Sequence, residues 1–69
     1  MVSFHPNKHN IYNYFATHGN PSDFSRAERL IVILYCYEGM TYAEIGLVID
    51  VQGSEIQSML LDIESRCIS

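Results

Sequence analysis

Residues 41–63, TYAEIGLVIDVQGSEIQSMLLDI, constrain the fold more tightly than any other stretch. Thr41 and Glu44 form a T-x-x-E capping box, in which each side chain satisfies an amide left open at a helix start. Ile45, Val48 and Ile49 then recur at helical spacing and predict a buried stripe. Gly46 falls inside that helix, where glycine costs about 1 kcal/mol relative to alanine. A close approach of neighbouring backbone would account for it. Asp50-Val51-Gln52-Gly53 reads as a turn, with Val51 directed inward to fill the corner. A second helix follows, with Ile56, Met59, Leu60 and Ile63 on its inner side. Its start is open between Gln52 and a Ser54/Gln57 capping box. Two short helices joined by a tight turn, with this apolar spacing, are expected to form a helix-turn-helix.

The preceding segment strengthens the all-helical reading. Ser25 and Glu28 make a second capping box, S-x-x-E, with Phe24 in the position of a hydrophobic staple. The helix is expected over residues 26–38, stopping at Gly39. Its middle, LIVILYCY at residues 30–37, is apolar on every side. Such a run suits a buried strand as well as a buried helix; the caps at both ends and the overall length favour helix. A helix that is apolar all round is expected to be buried all round, here at the centre of the core. Further back, Ile11, Tyr14, Phe15 and His18 lie at helical spacing and predict a short helix over residues 8–18. Asn7 can cap it and Gly19 can end it. Pro6 keeps the helix from starting earlier. So short a helix is not stable alone in water, so its aromatic stripe must dock on the rest of the chain or on a second copy.

A chain of 69 residues makes one small domain, expected to span residues 1–69 with three or four helices. At that size only about 60% of the unfolded surface is buried. The apolar share is 48%, with five tyrosines and three phenylalanines. Association between copies is a natural way to bury such an excess, and a homodimer is expected. The net charge is −4, whereas free-standing nucleic-acid binders are usually basic. Cys36 and Cys67 are expected as free thiols of a reducing cytoplasm. No signal peptide, lipidation motif or long apolar span is visible, so no membrane partner is expected.

Residues 25–66 resemble the C-terminal promoter-recognising domain, region four, of bacterial sigma factors. The resemblance is carried by AER at residues 27–29, YCYEGMTYAEIG at residues 35–46 and IDV at residues 49–51, which align without gaps. The helix-turn-helix of response regulators is a weaker match, needing a gap before Gly39. The resemblance implies a transcription regulatory protein whose second motif helix enters the major groove of promoter DNA. Gln52, Gly53, Ser54, Glu55, Gln57 and Ser58 would face the DNA, with Arg66 as the cation of that segment. It also implies an apolar groove for an RNA polymerase subunit, at Tyr35, Tyr37 and the run from Leu30 to Leu34.

The chain departs from that family in two ways. The family usually carries arginine or lysine at several groove-facing positions and at that of Asp62; none is basic here. From Thr41 onward there are five acids, Glu44, Asp50, Glu55, Asp62 and Glu64, and one base, Arg66. Phosphate neutralisation supplies essentially all non-specific DNA affinity, so autonomous DNA binding is disfavoured. Glu55 can accept from cytosine but repels the backbone. The second departure is Leu60-Leu61. Neighbours on a helix cannot share one inner stripe, so at least one is expected to face outward. It would meet either a protein partner or the N-terminal helix folded back over it. Leu30, Leu34, Tyr35, Tyr37, Leu60 and Leu61 are therefore the protein-interface candidates.

Other constellations point to bland roles. His5, His9 and His18 lack metal-ligand spacing, because Pro6 interrupts any helix that would join them. Arg26 and Arg29 are offset by Glu28. The tyrosines suit a core better than single-stranded nucleic acid. No nucleophile–base pair, phosphate loop or carboxylate pair is present, so neither an enzyme nor a cofactor is expected. Three readings remain: a DNA-binding regulator, a degenerate helix-turn-helix that binds protein or itself, and an interaction module outside transcription.

Overall fold

The computed structural model describes residues 5–19 and 23–67, and among these every regular element is helical. The helices are α1 (Lys8–His18), α2 (Arg26–Val32, continued by a π-helical turn, Ile33–Tyr37), α3 (Tyr42–Ile49) and α4 (Gly53–Cys67). The fold is a small all-α one, as the caps and periodicities predict.

Local hydrogen bonding sets most of the boundaries. The Asn7 side chain accepts from the amides of His9 at 3.0 Å and Asn10 at 3.2 Å, capping α1. Gly19 ends that helix at φ +69°. Both expected capping boxes form. Ser25 and Glu28 bond each other's amides at 3.1 and 2.8 Å, as do Thr41 and Glu44 at 3.2 and 2.8 Å. α4 starts at Gly53, with the Gln52 carbonyl accepting from Glu55 and Ile56. The choice between Gln52 and Ser54 therefore falls on Gln52.

The apolar run differs from expectation. Its second half winds as a π-helix, in which the Glu38 amide bonds the Ile33 carbonyl at 3.2 Å. Gly39 then reverses the chain at φ +68°, and the Met40 amide closes on the Leu34 carbonyl at 3.1 Å. The run is not buried all round. Ile31 and Val32 enter the core, while Leu30, Ile33 and Tyr37 remain 41%, 47% and 54% exposed. A fold of this size cannot cover every side of a helix.

The core consists of Ile11, Phe15, Phe24, Ile31, Val32, Ile45, Ile56, Leu60 and Ile63, drawn from all four helices and from Phe24 ahead of α2. α1 docks on its own chain through Ile11 and Phe15, leaving the second-copy alternative unneeded for that stripe. Phe24 makes no apolar staple with the first turn of α2, because the residue waiting there is Arg29. Phe24 instead packs on the Phe15 ring at 5.0 Å and edge-on to Tyr14 at 6.0 Å.

Candidate interaction surface

α3 and α4 meet across a turn at residues 50–52. Asp50 closes α3 in the left-handed conformation, φ 64° and ψ 47°, one of the few non-glycine residues that adopts it at modest cost. Gly46 faces this turn. A Cβ built on it would collide with the Val51 carbonyl and stand 3.3 Å from the Gly53 nitrogen. The glycine in mid-helix is thus explained by close packing of backbone. Val51 is half-buried against the core, filling the corner as expected.

Placement of α3 corrects one stripe. Tyr42, Ile45, Gly46 and Ile49 form its inward face, spaced i, i+3, i+4 and i+7. Val48, expected inside, is 57% exposed, and Leu47 beside it is 85% exposed. The signal for this was Gly46 itself: a glycine needed for packing marks the buried side, and 47 and 48 lie off it. Leu47 lies off the same inward stripe.

On α4 the buried residues Ile56, Leu60 and Ile63 define the inward face. Gln52, Ser54, Glu55 and Ser58 are exposed, and Gln57 is half-buried. Glu55, Ser58 and Asp62 share one outward face by their spacing. The cation that reaches them is Arg66, through Asp62. Arg66, the basic member of the DNA-facing candidates, leans from there toward α2. Its guanidinium pairs with Glu28 on α2, bonds Asp62 at 3.0 Å and lies 4.5 Å above the Phe24 ring. The Glu28 bond and the charges of Glu28 and Asp62 outweigh its partial burial and hold it charged. Burial raises the Glu28 carboxyl, but the Ser25 amide and Arg66 prevail and hold it below the ordinary value of 4.5.

The protein-interface candidates separate. Leu60 is fully buried and leaves the list: a residue sealed in the chain's own core meets no partner. Leu61, its neighbour, is half-buried. Leu34 and Tyr35 are half-buried and pack on the core. Leu30 and Tyr37 lie outward, joined by Ile33 and by Tyr12, whose ring stands 5.3 Å from that of Tyr37.

Tyr35 stacks on Tyr42 at 5.8 Å beneath the Lys8 ammonium, 4.6 Å from its centroid. Burial, and then the Tyr42 hydroxyl, push its phenol upward. Cys36 and Cys67 are free thiols. Burial pushes Cys36 up to about 11 and raises Cys67 as well, so neither is an activated nucleophile. His5 hydrogen-bonds the Tyr42 hydroxyl at 3.0 Å, Asn13 bonds His9 at 3.0 Å, and His18 donates to the Tyr14 carbonyl at 2.9 Å. Among the described residues no three His, Cys, Asp or Glu side chains gather to hold a metal, and no helix is long and apolar enough to cross a membrane. Comparison with protein-family models, characterised proteins and solved structures finds no match to this chain.

Proposed function

We propose that the chain is a transcription regulatory module of helix-turn-helix type that acts through protein contact and does not grip DNA on its own. The observation that carries this reading is the outward face of α4. It offers Ser54, Glu55, Ser58 and Asp62, and its one cation, Arg66, is engaged by the carboxylates of Asp62 and Glu28 and by the Phe24 ring. A helix presented to a phosphate backbone without an uncommitted cation lacks the term that supplies nearly all sequence-independent affinity. The exposed apolar residues on α2 and α3 support protein contact instead. An RNA polymerase subunit and a second copy of the chain are the candidate partners.

Fluorescence anisotropy with random duplex DNA tests this. No binding is expected up to about 10⁻⁴ M protein at about 50 mM salt. Binding at micromolar concentration that collapses between about 50 and about 200 mM salt would overturn the reading in favour of direct promoter recognition.

A further inference from the structure

Among the described residues two apolar strips are exposed, and their charged borders differ in net sign. The first runs along α2, where Leu30, Ile33 and Tyr37 follow one helical face and Tyr12 of α1 leans against Tyr37. Arg26 precedes Leu30 by one helical turn and is exposed. Lys8 and His9 lie beside Tyr12, the three lining one hollow with Cys36. Glu38 is the acid at the far end. The second strip is Leu47 and Val48 on α3. Glu44 lies one turn before them and Asp50 directly after, both exposed.

The division extends through the sequence. Residues 1–37 carry three basic and two acidic side chains, and residues 38–69 carry one basic and six acidic. One of those two acids, Glu28, is neutralised by Arg66. Around the strips themselves, the α2 border sets Arg26 and Lys8 against Glu38 and is weakly cationic, while the α3 border carries Glu44 and Asp50 and is anionic.

From this complementarity we infer that the occupant of each strip is the other strip of a second copy: the α2 strip of one chain docks on the α3 strip of the next. Pairing α3 on α3 brings Glu44 and Asp50 against their own equivalents in either orientation, and pairing α2 on α2, even antiparallel with Arg26 against Glu38, leaves Leu47 and Val48 exposed on both copies. The crossed pairing engages both strips and sets Arg26 and Lys8 toward Glu44 and Asp50. It is a heterologous contact, which grows into a ring or an open chain unless it closes on a pair. The inference rests on the reading of the chain as a protein-binding module and names the partner.

Mixing two exposed-surface variants tests it. I33D disables only the α2 strip and L47D only the α3 strip. Circular dichroism melts establish that both remain folded, and Y37D with V48D provide a second pair of lesions at the same strips. The wild type is expected to show a light-scattering mass that rises with concentration above the 7.9 kDa of one chain and falls back with added salt. Each variant alone forms at most one kind of contact-competent surface and stays at 7.9 kDa. The equimolar mixture restores a pair, because each copy keeps the strip the other lacks. A wild type that remains monomeric at every concentration overturns the inference. So does an L47D chain that associates as the wild type does, or a mixture that stays monomeric. Monomeric wild type that also ignores duplex DNA removes the inference alone; duplex binding removes the functional reading beneath it.

Discussion

Glu28 joins a local cap to a tertiary contact, and its two carboxylate oxygens let the two be separated. Oε1 accepts from the Ser25 amide at 2.8 Å, while Oε2 pairs with Arg66. E28Q keeps an oxygen for the Ser25 amide and removes the charge. E28A removes both. The Ser25 hydroxyl still caps the residue-28 amide in E28A, so what is lost there is the acceptor of the Ser25 amide, one hydrogen bond of about 0.5–1.5 kcal/mol. The ion pair is intermediate in exposure, with side chains 37% and 21% accessible, so solvent screening limits it to about 0.5–1 kcal/mol. Arg66 also retains Asp62 at 3.0 Å when Glu28 is gone. The expected losses are therefore about 0.5–1 kcal/mol for E28Q and about 2 kcal/mol for E28A. In a domain of this size, 1 kcal/mol moves Tm by about 4–8 °C. Thermal melts followed by circular dichroism resolve the two variants. The pH dependence supplies an independent check. The Glu28 carboxyl lies below 4.5 when folded. A lowered carboxyl contributes stability that is complete above the unfolded value and is lost as pH falls through the folded one. The gap between wild type and E28Q should hold steady at neutral pH and close below about pH 4.5. Two results would refute the reasoning: E28Q as damaging as E28A, or a gap that widens in acid.

Two further substitutions probe the packing. G46A should lower Tm although alanine gains about 1 kcal/mol in helix propensity, because the added methyl meets the backbone of Val51 and Gly53 and such overpacking costs about 1–3 kcal/mol; an unchanged or raised Tm would mean that the turn yields. L60A should cost about 2–5 kcal/mol, enough to leave much of so small a domain unfolded in a urea titration. L61A, at a half-buried site, should cost well under half as much, and equal losses would contradict the assignment of Leu60 to the core and Leu61 to its margin.

Elements whose cause is local were readable from residues a few positions apart. Asn7, the Ser25/Glu28 and Thr41/Glu44 pairs, Gly19 and Gly39 act through bonds and backbone conformations confined to one turn of chain. They set helix starts and stops without reference to the rest of the fold. Which side of an element lies inward was less legible. The LIVILYCY run is apolar at every position, so periodicity carries no information on its orientation, and its π turn depends on where Gly39 must reverse the chain. On α3 a glycine occupies a buried position, and a stripe sought among large apolar residues passes over it. The Arg66–Glu28 pair joins positions 38 apart. Sequence shows both charges but not that they meet, so position in the chain alone assigns Arg66 to the DNA-facing side.

The fate of Arg66 bears on what the module can bind, because it belongs to a pattern in the use of cations. Lys8 lies over the Tyr35 ring at 4.6 Å. Arg29 donates to the Phe24 carbonyl at 2.6 Å, and Arg66 covers the ring of that same phenylalanine at 4.5 Å. Phe24 connects α1 to the start of α2, and its carbonyl and its ring are each held by an arginine. To offer Arg66 to a phosphate, the chain must uncover the Phe24 ring and break the Glu28 pair that leans on the α2 cap. The energy of a phosphate contact would then be set against the energy of the fold itself. A groove-binding helix does better to carry cations that have no such duty, and α4 has none on its outward face. The same allocation leaves Arg26 exposed beside Leu30, on the surface where an acidic partner would meet it. The proposed protein contact fits this allocation, since Arg26 borders an apolar strip and α4 brings no uncommitted cation to a groove.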